Sequence, residues 1–425
     1  MAHSKLLISS IALLACAAPL AAQTQGDDAN ETAFLAKFEK TFEKPGAVYA
    51  KDFVPAGMMS GPLHTIAEGA YNDGLRNTYV VVTGNEQYEV TGTPATVQFI
   101  RELYAIDYLR GVSKSEEFGK AFANAGKQKV QSAAGLITNP IGTLKNVPKG
   151  ASRFFGRIGE GMKGGKSEGE GGALAGISGV SKAKTRLAAK LGVSPYSTNE
   201  TLQQELTKVA RASAAGGLVV SAATSAVGGG AGAALSVVGM NQTLQEALVS
   251  STPEDLRIMN RKKLLALGTS RALTEEFLMH PWFSPWHETI TTDALARIGV
   301  NPTAFLNNAV MALTQEDAFF FQRVAQILAQ YHTNAMPLRA IHFEQNAITA
   351  TDRNGTLVVP VSLDYATWCE RTARRAEEFT ALVKPGGDIK ALALLTDGQL
   401  SERLREELKA RNITWREHAL DGGAR

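Results

Sequence analysis

The chain has 425 residues, of which 44% are hydrophobic and 20% are charged, as is ordinary for a globular protein with more than one core. Its formal net charge of +3 at pH 7 is close to neutral, which argues against nucleic acid as a general partner.

The first residues of the chain are typical of a secretory signal peptide. The positive charge of Lys5 precedes an uncharged apolar run over 6–18, and a small-residue cleavage site ends at Ala22. We therefore expect cleavage after Ala22 and a periplasmic or extracellular mature protein. Residues 13–16 also partly match a bacterial lipobox, so the alternative is a lipoprotein anchored at Cys16. Export separates the chain from ATP and NAD, so we expect no nucleotide and no cofactor.

The N-terminal part of the mature chain is predicted to contain a small sheet. Residues 23–60 form a polar lead-in. In the next segment, 61–118, two β-rich runs over 77–83 and 87–91 are joined by three residues that include a glycine, which is typical of a β-hairpin. Apolar residues at helical spacing over 94–109 predict a helix that covers one face of this sheet.

The segment 119–198 is basic and rich in glycine, and we expect it to be partly disordered, including residues 161–176. Between residues 119 and 166, nine basic residues accompany a single acid. Cations and aromatic residues alternate over 149–157, a composition typical of a segment that rests on an anionic membrane surface. The alternative is a solvated loop. The candidate membrane-surface residues are Lys145, Lys149, Arg153, Phe154, Phe155, Arg157 and Lys163.

The segment 199–345 is predicted to be a helical domain. Asn199 has the side chain of a helix N-cap at the start of an amphipathic pattern. From Ala212 to Met240, 29 consecutive residues carry no charge. Their many glycines and serines favour a close-packed helical hairpin, and membrane insertion is the alternative. Helical spacing then predicts an array of helices over 252–335.

The segment 346–425 is predicted to be a small α/β unit. Strands over 347–351 and 357–361 flank an Asp-Arg-Asn-Gly sequence, which is a hairpin turn signal. Further strands alternate with helices, as is typical of a parallel sheet. These elements are a helix over 364–383, a strand over 391–395, a helix over 401–409 and a strand over 413–416. For the whole chain we predict an α+β fold that is predominantly helical.

The most site-like cluster is the run from His280 to Glu288, in which two histidines, two tryptophans and a carboxylate fall within nine residues. In one functional interpretation, His287 and Glu288 act as a general acid/base pair. In another, His280 and His287 bind a metal ion. A third ligand would then come from His332 or His342. The alternative is a rigid connector between helices whose aromatic side chains fill the core.

Two aspartates and one cysteine are further candidates. Asp364 and Asp397 each closely follow a predicted strand, so both would lie at the edge where parallel sheets bind ligands. Capping of a helix is the alternative for Asp364. Cys369 is the only cysteine that remains after cleavage at Ala22, which excludes an intramolecular disulfide. We expect it to lie inside a helix as a buried apolar filler.

Four strings in the chain resemble a family of exported bacterial proteins of similar length. They are VSKSEEFGKA (112–121), KGASRFFGRIG (149–159), LGVSPYSTN (191–199) and PWFSP (281–285). The likeness extends over about 61–415, which implies that these segments form one co-inherited unit. The family has no established activity, fold or substrate, so the resemblance implies export and supplies no site residues.

These observations favour a non-enzymatic cell-envelope protein whose basic middle segment contacts an anionic membrane surface or an envelope protein. One alternative is a secreted hydrolase that uses the loop from His280 to Glu288, or the strand ends at Asp364 and Asp397. Another is a secreted structural or assembly factor that does not contact lipid. The sequence leaves open whether the protein is an enzyme.

Overall fold

A computed structural model shows the predicted α+β fold, which its internal contacts divide into two units. Unit 1 contains Met1–Val97, Val237–Asn241 and Arg257–Arg425, and unit 2 contains Gln98–Ser236 and Gln242–Leu256. The structure describes residues 41–44, 46–120, 171–216 and 242–421.

Helices are the main elements of both units. Those of unit 2 are α1 (Thr93–Ser113, whose first turn belongs to unit 1), α2 (Gly171–Leu191), α3 (Glu200–Gly216) and α4 (Gln242–Ser250). Those of unit 1 are α5 (Pro253–Ala266, whose first turn belongs to unit 2), α6 (Arg271–Leu278), α7 (Pro285–Ile298), α8 (Thr303–Ala309), α9 (Gln315–Asn334), α10 (Glu370–Thr380) and α11 (Glu402–Ala410).

The N-terminal part of unit 1 is an antiparallel sheet. Its strands are β1 (Gly46–Tyr49), β2 (Ser60–Gly61), β3 (His64–Ile66), β4 (Gly69–Asn72), β5 (Asn77–Thr83) and β6 (Glu86–Thr91), in the order β1-β4-β5-β3-β2 with β6 also paired to β5. Strands β5 and β6 form the predicted hairpin, in which Tyr79 and Val81 alternate into the core. The polar lead-in was expected to reach residue 60, but β1 begins within it, at Gly46. This strand was not predicted, because four residues are too few to show a clear alternation of apolar and polar side chains.

The C-terminal part of unit 1 contains a mixed sheet with helices, and the first strand of this sheet lies in the segment 199–345 that was predicted to be a helical domain. Its strands are β7 (Leu338–Glu344), β8 (Ala347–Asp352), β9 (Thr356–Val361), β10 (Tyr365–Ala366), β11 (Ala391–Thr396), β12 (Gln399–Leu400) and β13 (Ile413–Arg416). The main sheet has the order β13-β11-β9-β8-β7. Strands β9, β11 and β13 are parallel, while β7, β8 and β9 form an antiparallel meander. Strands β10 and β12 form a separate short parallel pair.

Two hydrophobic cores lie on opposite faces of this main sheet. Val358 and Leu395 belong to the core that also contains α9 and the helices α6 to α8. Val359 and Leu392 alternate to the other face, where they pack with residues of α10 and α11. Successive residues of β9 therefore face different cores. One core contains the helices α6 to α9, and the other contains α10 and α11.

Two helices of unit 1 begin at different residues than expected. Helix α7 begins at Pro285, within the run from His280 to Glu288 for which a connector was the alternative, because Ser284 accepts a hydrogen bond from His287 N and proline occupies the first position. His287 and Glu288 are therefore in the first turn of a helix, and not in a connector. The predicted helix over 364–383 begins at Glu370, after β10, so Cys369 precedes the helix.

The described part of unit 2 is helical, with a core formed by α1, α2, α3 and the residues that follow α2. Asn199 is the predicted cap of α3, since its Oδ1 accepts the Leu202 amide at 3.1 Å. Of the residues 161–176 that were expected to be disordered, residues 171–176 lie at the start of α2.

Several predictions concern residues outside the described ranges. These are the signal peptide, the seven membrane-surface candidates from Lys145 to Lys163, and most of the uncharged segment 212–240. Within the described ranges, every helix is too short or too polar to span a bilayer.

Candidate functional site

The carboxyl edge of the parallel strands holds Asp397, as the sequence predicts. Asp397 follows β11, and its Oδ2 accepts hydrogen bonds from Arg323 Nε and Ser362 Oγ, both at 2.7 Å. Its Oδ1 accepts the amide of Leu363 at 3.0 Å. The side chain of Asp397 is only 3% exposed, so both of its oxygens serve contacts within the protein. Asp397 thus joins the ends of two strands to α9.

Asp364 follows β9 and is buried, with contacts to the N-terminal sheet. Its Oδ2 accepts the amide of Asn77 at 2.9 Å, and its Oδ1 accepts the amide of Thr93 at 2.8 Å. Thr93 is the first residue of α1, so Asp364 caps a helix that lies 271 positions earlier in the chain. The helix that Asp364 caps is therefore not the one that follows it in the chain. Burial raises the pKa of Asp364, and the two amides counteract that effect.

Residues near the start of the described chain contact the short β10–β12 pair, whose strands follow β9 and β11 in the chain. Glu43 accepts the amide of Trp368 and the hydroxyl of Ser401, both at 2.5 Å. The Phe53 ring lies 5.5 Å from the ring of Tyr365. The two aspartates at the edge where α/β sheets bind ligands therefore bond to other parts of the same chain.

The run from His280 to Glu288 mainly packs into the core and connects helix α7 to helix α5. Phe283 is fully buried and stacks edge-on against Phe277, with ring centroids 4.8 Å apart. Glu288 is fully buried and receives Arg257 Nε at 3.2 Å and Nη2 at 3.3 Å. Burial raises the pKa of Glu288 to about 8, although Arg257 acts in the opposite direction.

His287 and Glu288 do not form an acid/base pair. His287 donates a hydrogen bond to the backbone carbonyl of Trp282, and its Nδ1 is buried without a partner among the described residues. Burial lowers the pKa of His287 to about 4. The bonds of Glu288 run instead to Arg257 on α5.

Each histidine that was proposed as a metal ligand makes other contacts in the structure. His280 Nδ1 accepts the Trp282 amide at 3.4 Å, and the ring also bonds to the backbone of Val310. His332 Nδ1 accepts the Leu338 amide at 3.1 Å, and His342 Nε2 lies 2.9 Å from Thr351 Oγ1. Within the described part of the chain, no group of three or more His, Cys, Asp or Glu side chains is arranged to hold a metal ion.

Cys369 is a half-buried free thiol at the N-cap of α10, and not a buried filler inside a helix. Its side chain accepts the backbone amide of Thr372, whose hydroxyl accepts the Cys369 amide at 2.9 Å. The thiol therefore occupies the place that a serine or aspartate usually has at the start of a helix.

The main sheet contains a fork that the sequence analysis missed. Strands β8 and β9 pair only at Ala350↔Val358 and Thr351↔Leu357. Beyond these pairs β8 leaves β9, although β9 stays paired with β11 as far as Val361. Pro360 lies in the separated part, where the lack of a backbone N–H is tolerated because β9 is locally an edge strand. A proline within a predicted central strand was the available sequence signal.

A cavity of about 190 Å³ lies at this fork. It is lined by residues from both faces of the sheet, because separated strands no longer shield one core from the other. Helix α9, the β7–β8 hairpin and strand β9 each contribute apolar side chains. They include Phe320, Val324, Phe343, Ala347, Ile348 and Val359. Phe343 is 40% exposed, so the lining continues to the protein surface at the hairpin.

A few polar groups interrupt the apolar lining. Arg371 and Arg375 lie one turn apart on α10, and Asn346 lies in the turn of the β7–β8 hairpin. Asp317 also lines the cavity, and its Oδ2 accepts the amides of Leu313 and Thr314 at the start of α9. The site therefore combines a large apolar surface with a small number of charged groups, as binding pockets for small molecules do.

Comparisons of the chain with protein-family models, with curated proteins and with solved structures find no match.

Proposed function

We propose that the protein is a non-enzymatic binding protein that holds an apolar group in the cavity at the sheet fork. The single observation that carries this proposal is the cavity itself, which interrupts two otherwise buried cores and is lined mainly by aliphatic and aromatic side chains. Protein interiors are close-packed and contain few voids larger than a water molecule, so a cavity of this size is an exceptional feature of the sheet.

The cavity volume limits the size of the bound group. An apolar cavity of about 150 Å³ binds benzene, so 190 Å³ fits one aromatic ring or a short alkyl chain. A whole membrane lipid is much larger than this volume. We therefore propose that the ligand is a small amphiphile, or that one end of a longer acyl chain enters the fork.

The contacts of the acidic residues support a non-enzymatic role. The Asp364 carboxylate bonds to two backbone amides, and that of Asp397 bonds to Arg323, Ser362 and a backbone amide. Glu288 is paired with Arg257 in a fully buried position. Carboxylates that are engaged in this way do not offer a free base or nucleophile to a substrate.

Export and association with the cell envelope belong to the same proposal, and they rest on the sequence alone. The signal-peptide pattern ends at Ala22, and the basic stretch around Arg153 has the composition of a membrane-surface segment. A protein that binds short acyl chains and lies near an anionic membrane would meet its ligands there.

A titration with straight-chain alcohols from butanol to octanol tests the proposal. Because each buried methylene contributes about 0.8 kcal/mol, we expect the affinity measured by calorimetry to rise about fourfold per methylene. Ala347→Leu places three extra carbons in the fork and should lower octanol affinity at least tenfold. Ala381→Leu is the matched control, since Ala381 is exposed and does not line the cavity. Equal octanol binding by both variants would contradict the proposal.

A further inference from the structure

We infer that the fork binds an amphiphile with an anionic head, a short-chain carboxylate, whose head group lies between Arg371 and Arg375. This inference rests on the proposed function, because it assigns a head group to the ligand whose apolar part enters the cavity. The two arginines are the cationic side chains that line the cavity within the described residues.

The two guanidinium groups are placed to act together. Residues four positions apart on a helix lie on the same face, one turn from each other. Both arginines therefore point from the same face of α10 towards the cavity that each of them lines. Their side chains are 33% and 28% exposed, so they lie between the apolar lining and solvent. A carboxylate matches the planar donor fork of arginine.

Arg371 has little competition from its acidic neighbour. Its Nη2 lies 3.3 Å from the Asp73 carbonyl oxygen and 3.8 Å from Asp73 Oδ1, which is long for an ion pair. That same Oδ1 already accepts the amides of Leu75 at 2.9 Å and Arg76 at 2.8 Å. The Asp73 carboxylate therefore mainly stabilises its own turn, and most donors of Arg371 stay available to a ligand.

Arg375 connects the head-group position to the fork. Its Nη1 donates to the carbonyl of Gln345 at 2.5 Å, and to Glu378 Oε2 at 2.9 Å. Gln345 lies in the turn of the β7–β8 hairpin, and this hairpin forms one side of the fork. Both of these bonds use Nη1, so Nε and Nη2 are the donors that we assign to the carboxylate.

Among the described residues, Asp317 is the acidic one that lines the cavity, and its contacts are compatible with a bound carboxylate between the arginines. Asp317 accepts two backbone amides at the N-terminus of α9, where the helix dipole also compensates negative charge. Its charge is therefore stabilised locally. A bound carboxylate between the arginines would instead face two cations.

Octanoate and octanol distinguish the head group from the chain, because they carry similar tails. At pH 7 we expect octanoate to bind about tenfold more tightly than octanol, as measured by calorimetry at low ionic strength. Arg371→Gln and Arg375→Gln should each remove most of this preference and leave octanol affinity unchanged. Arg374→Gln is the matched control, since Arg374 pairs with Glu370 on the same helix and does not line the cavity.

The outcomes separate this inference from the proposed function. Octanol binding without any preference for octanoate, or a preference that survives both substitutions, would overturn the head-group assignment and leave the cavity proposal standing. Failure of both ligands to bind would overturn the proposed function itself. If Arg375→Gln weakens octanol binding as well, Arg375→Lys restores the charge. Recovery of the octanoate preference in that variant then supports the assignment, and continued loss with normal octanol binding contradicts it.

Discussion

The carboxyl edge of the parallel strands and the fork between β8 and β9 lie in the same sheet and have opposite character. At the edge, Asp364 and Asp397 bond to backbone amides and to Arg323. At the fork, the strands separate and leave an apolar cavity with arginines among its lining. Topology alone favours the edge as a ligand site. The contacts show that the chain uses the edge to join its own parts, and that the fork offers space to a ligand.

The largest effect is expected from removal of the Asp364 carboxylate. Asp364→Ala leaves the amides of Asn77 and Thr93 without their acceptor in a buried position. Each such group costs about 1–3 kcal/mol, so the free energy of unfolding should fall by about 4 kcal/mol. Chemical denaturation measures this loss. Asp388→Ala is the control, since Asp388 is exposed. A loss below about 1 kcal/mol would show that the bonds of Asp364 to Asn77 and Thr93 do not stabilise the fold.

A single added carbon at the edge should cost nearly as much. A Cβ on Gly398 would lie 2.5 Å from the carbonyl oxygen of Asp364, and closer still to that of Leu363. Such overlap with backbone forces the strand ends apart, so Gly398→Ala should lower the free energy of unfolding by about 3 kcal/mol. Gly69→Ala has nothing within 4 Å of the new Cβ and should change it by less than about 1 kcal/mol. Equal effects of the two substitutions would contradict the close packing of the edge.

Substitution of Glu288 tests whether a buried carboxyl group away from the carboxyl edge also contributes to the free energy of unfolding. Burial raises its pKa from 4.5 to about 8, so the folded state holds the proton more tightly than the unfolded state. The stabilisation from this proton is complete below pH 4.5 and is lost as the pH rises through 8.

His287 has the opposite effect on the pH dependence of stability, because folding lowers its pKa from 6.5 to about 4. Its contribution to the free energy of unfolding therefore changes only below about pH 6.5. Between pH 6.5 and 8, the wild type should therefore lose about 2 kcal/mol more stability than Glu288→Gln. Denaturation at several pH values measures this difference. Glu276→Gln, on an exposed residue of α6, is expected to follow the wild type. If Glu288→Gln also follows it, Glu288 is ionised throughout and its role is that of a salt bridge with Arg257.

The smallest effect on stability is expected at the fork. Ala347→Leu adds three carbons, yet the cavity of 190 Å³ can accept them without moving the backbone. We expect the free energy of unfolding to change by less than about 1 kcal/mol, in contrast to the single carbon at Gly398. Denaturation of both variants under the same conditions compares the two regions directly. A large loss in Ala347→Leu would mean that the fork is as tightly packed as the edge.

The sequence predicts local features of this fold better than it predicts the site. The hairpin over 77–91, the α3 cap at Asn199 and the parallel strands over 391–416 follow from short patterns, and the structure confirms them. The role of Asp364 depends on Thr93, which is distant in the chain, so spacing alone did not reveal it. The fork depends on where β8 stops pairing with β9, and Pro360 was its only local sign.

The most direct test of the central claim is a methyl NMR titration of the protein with octanol. We predict chemical-shift changes at Ile348, Val359 and Leu394, which line the fork. Little change is expected at Leu400 or Leu420, which lie near the carboxyl edge and do not line the cavity. Shifts confined to Leu400 and Leu420, or no shifts at millimolar octanol, would contradict the claim that this molecule binds its ligand at the fork.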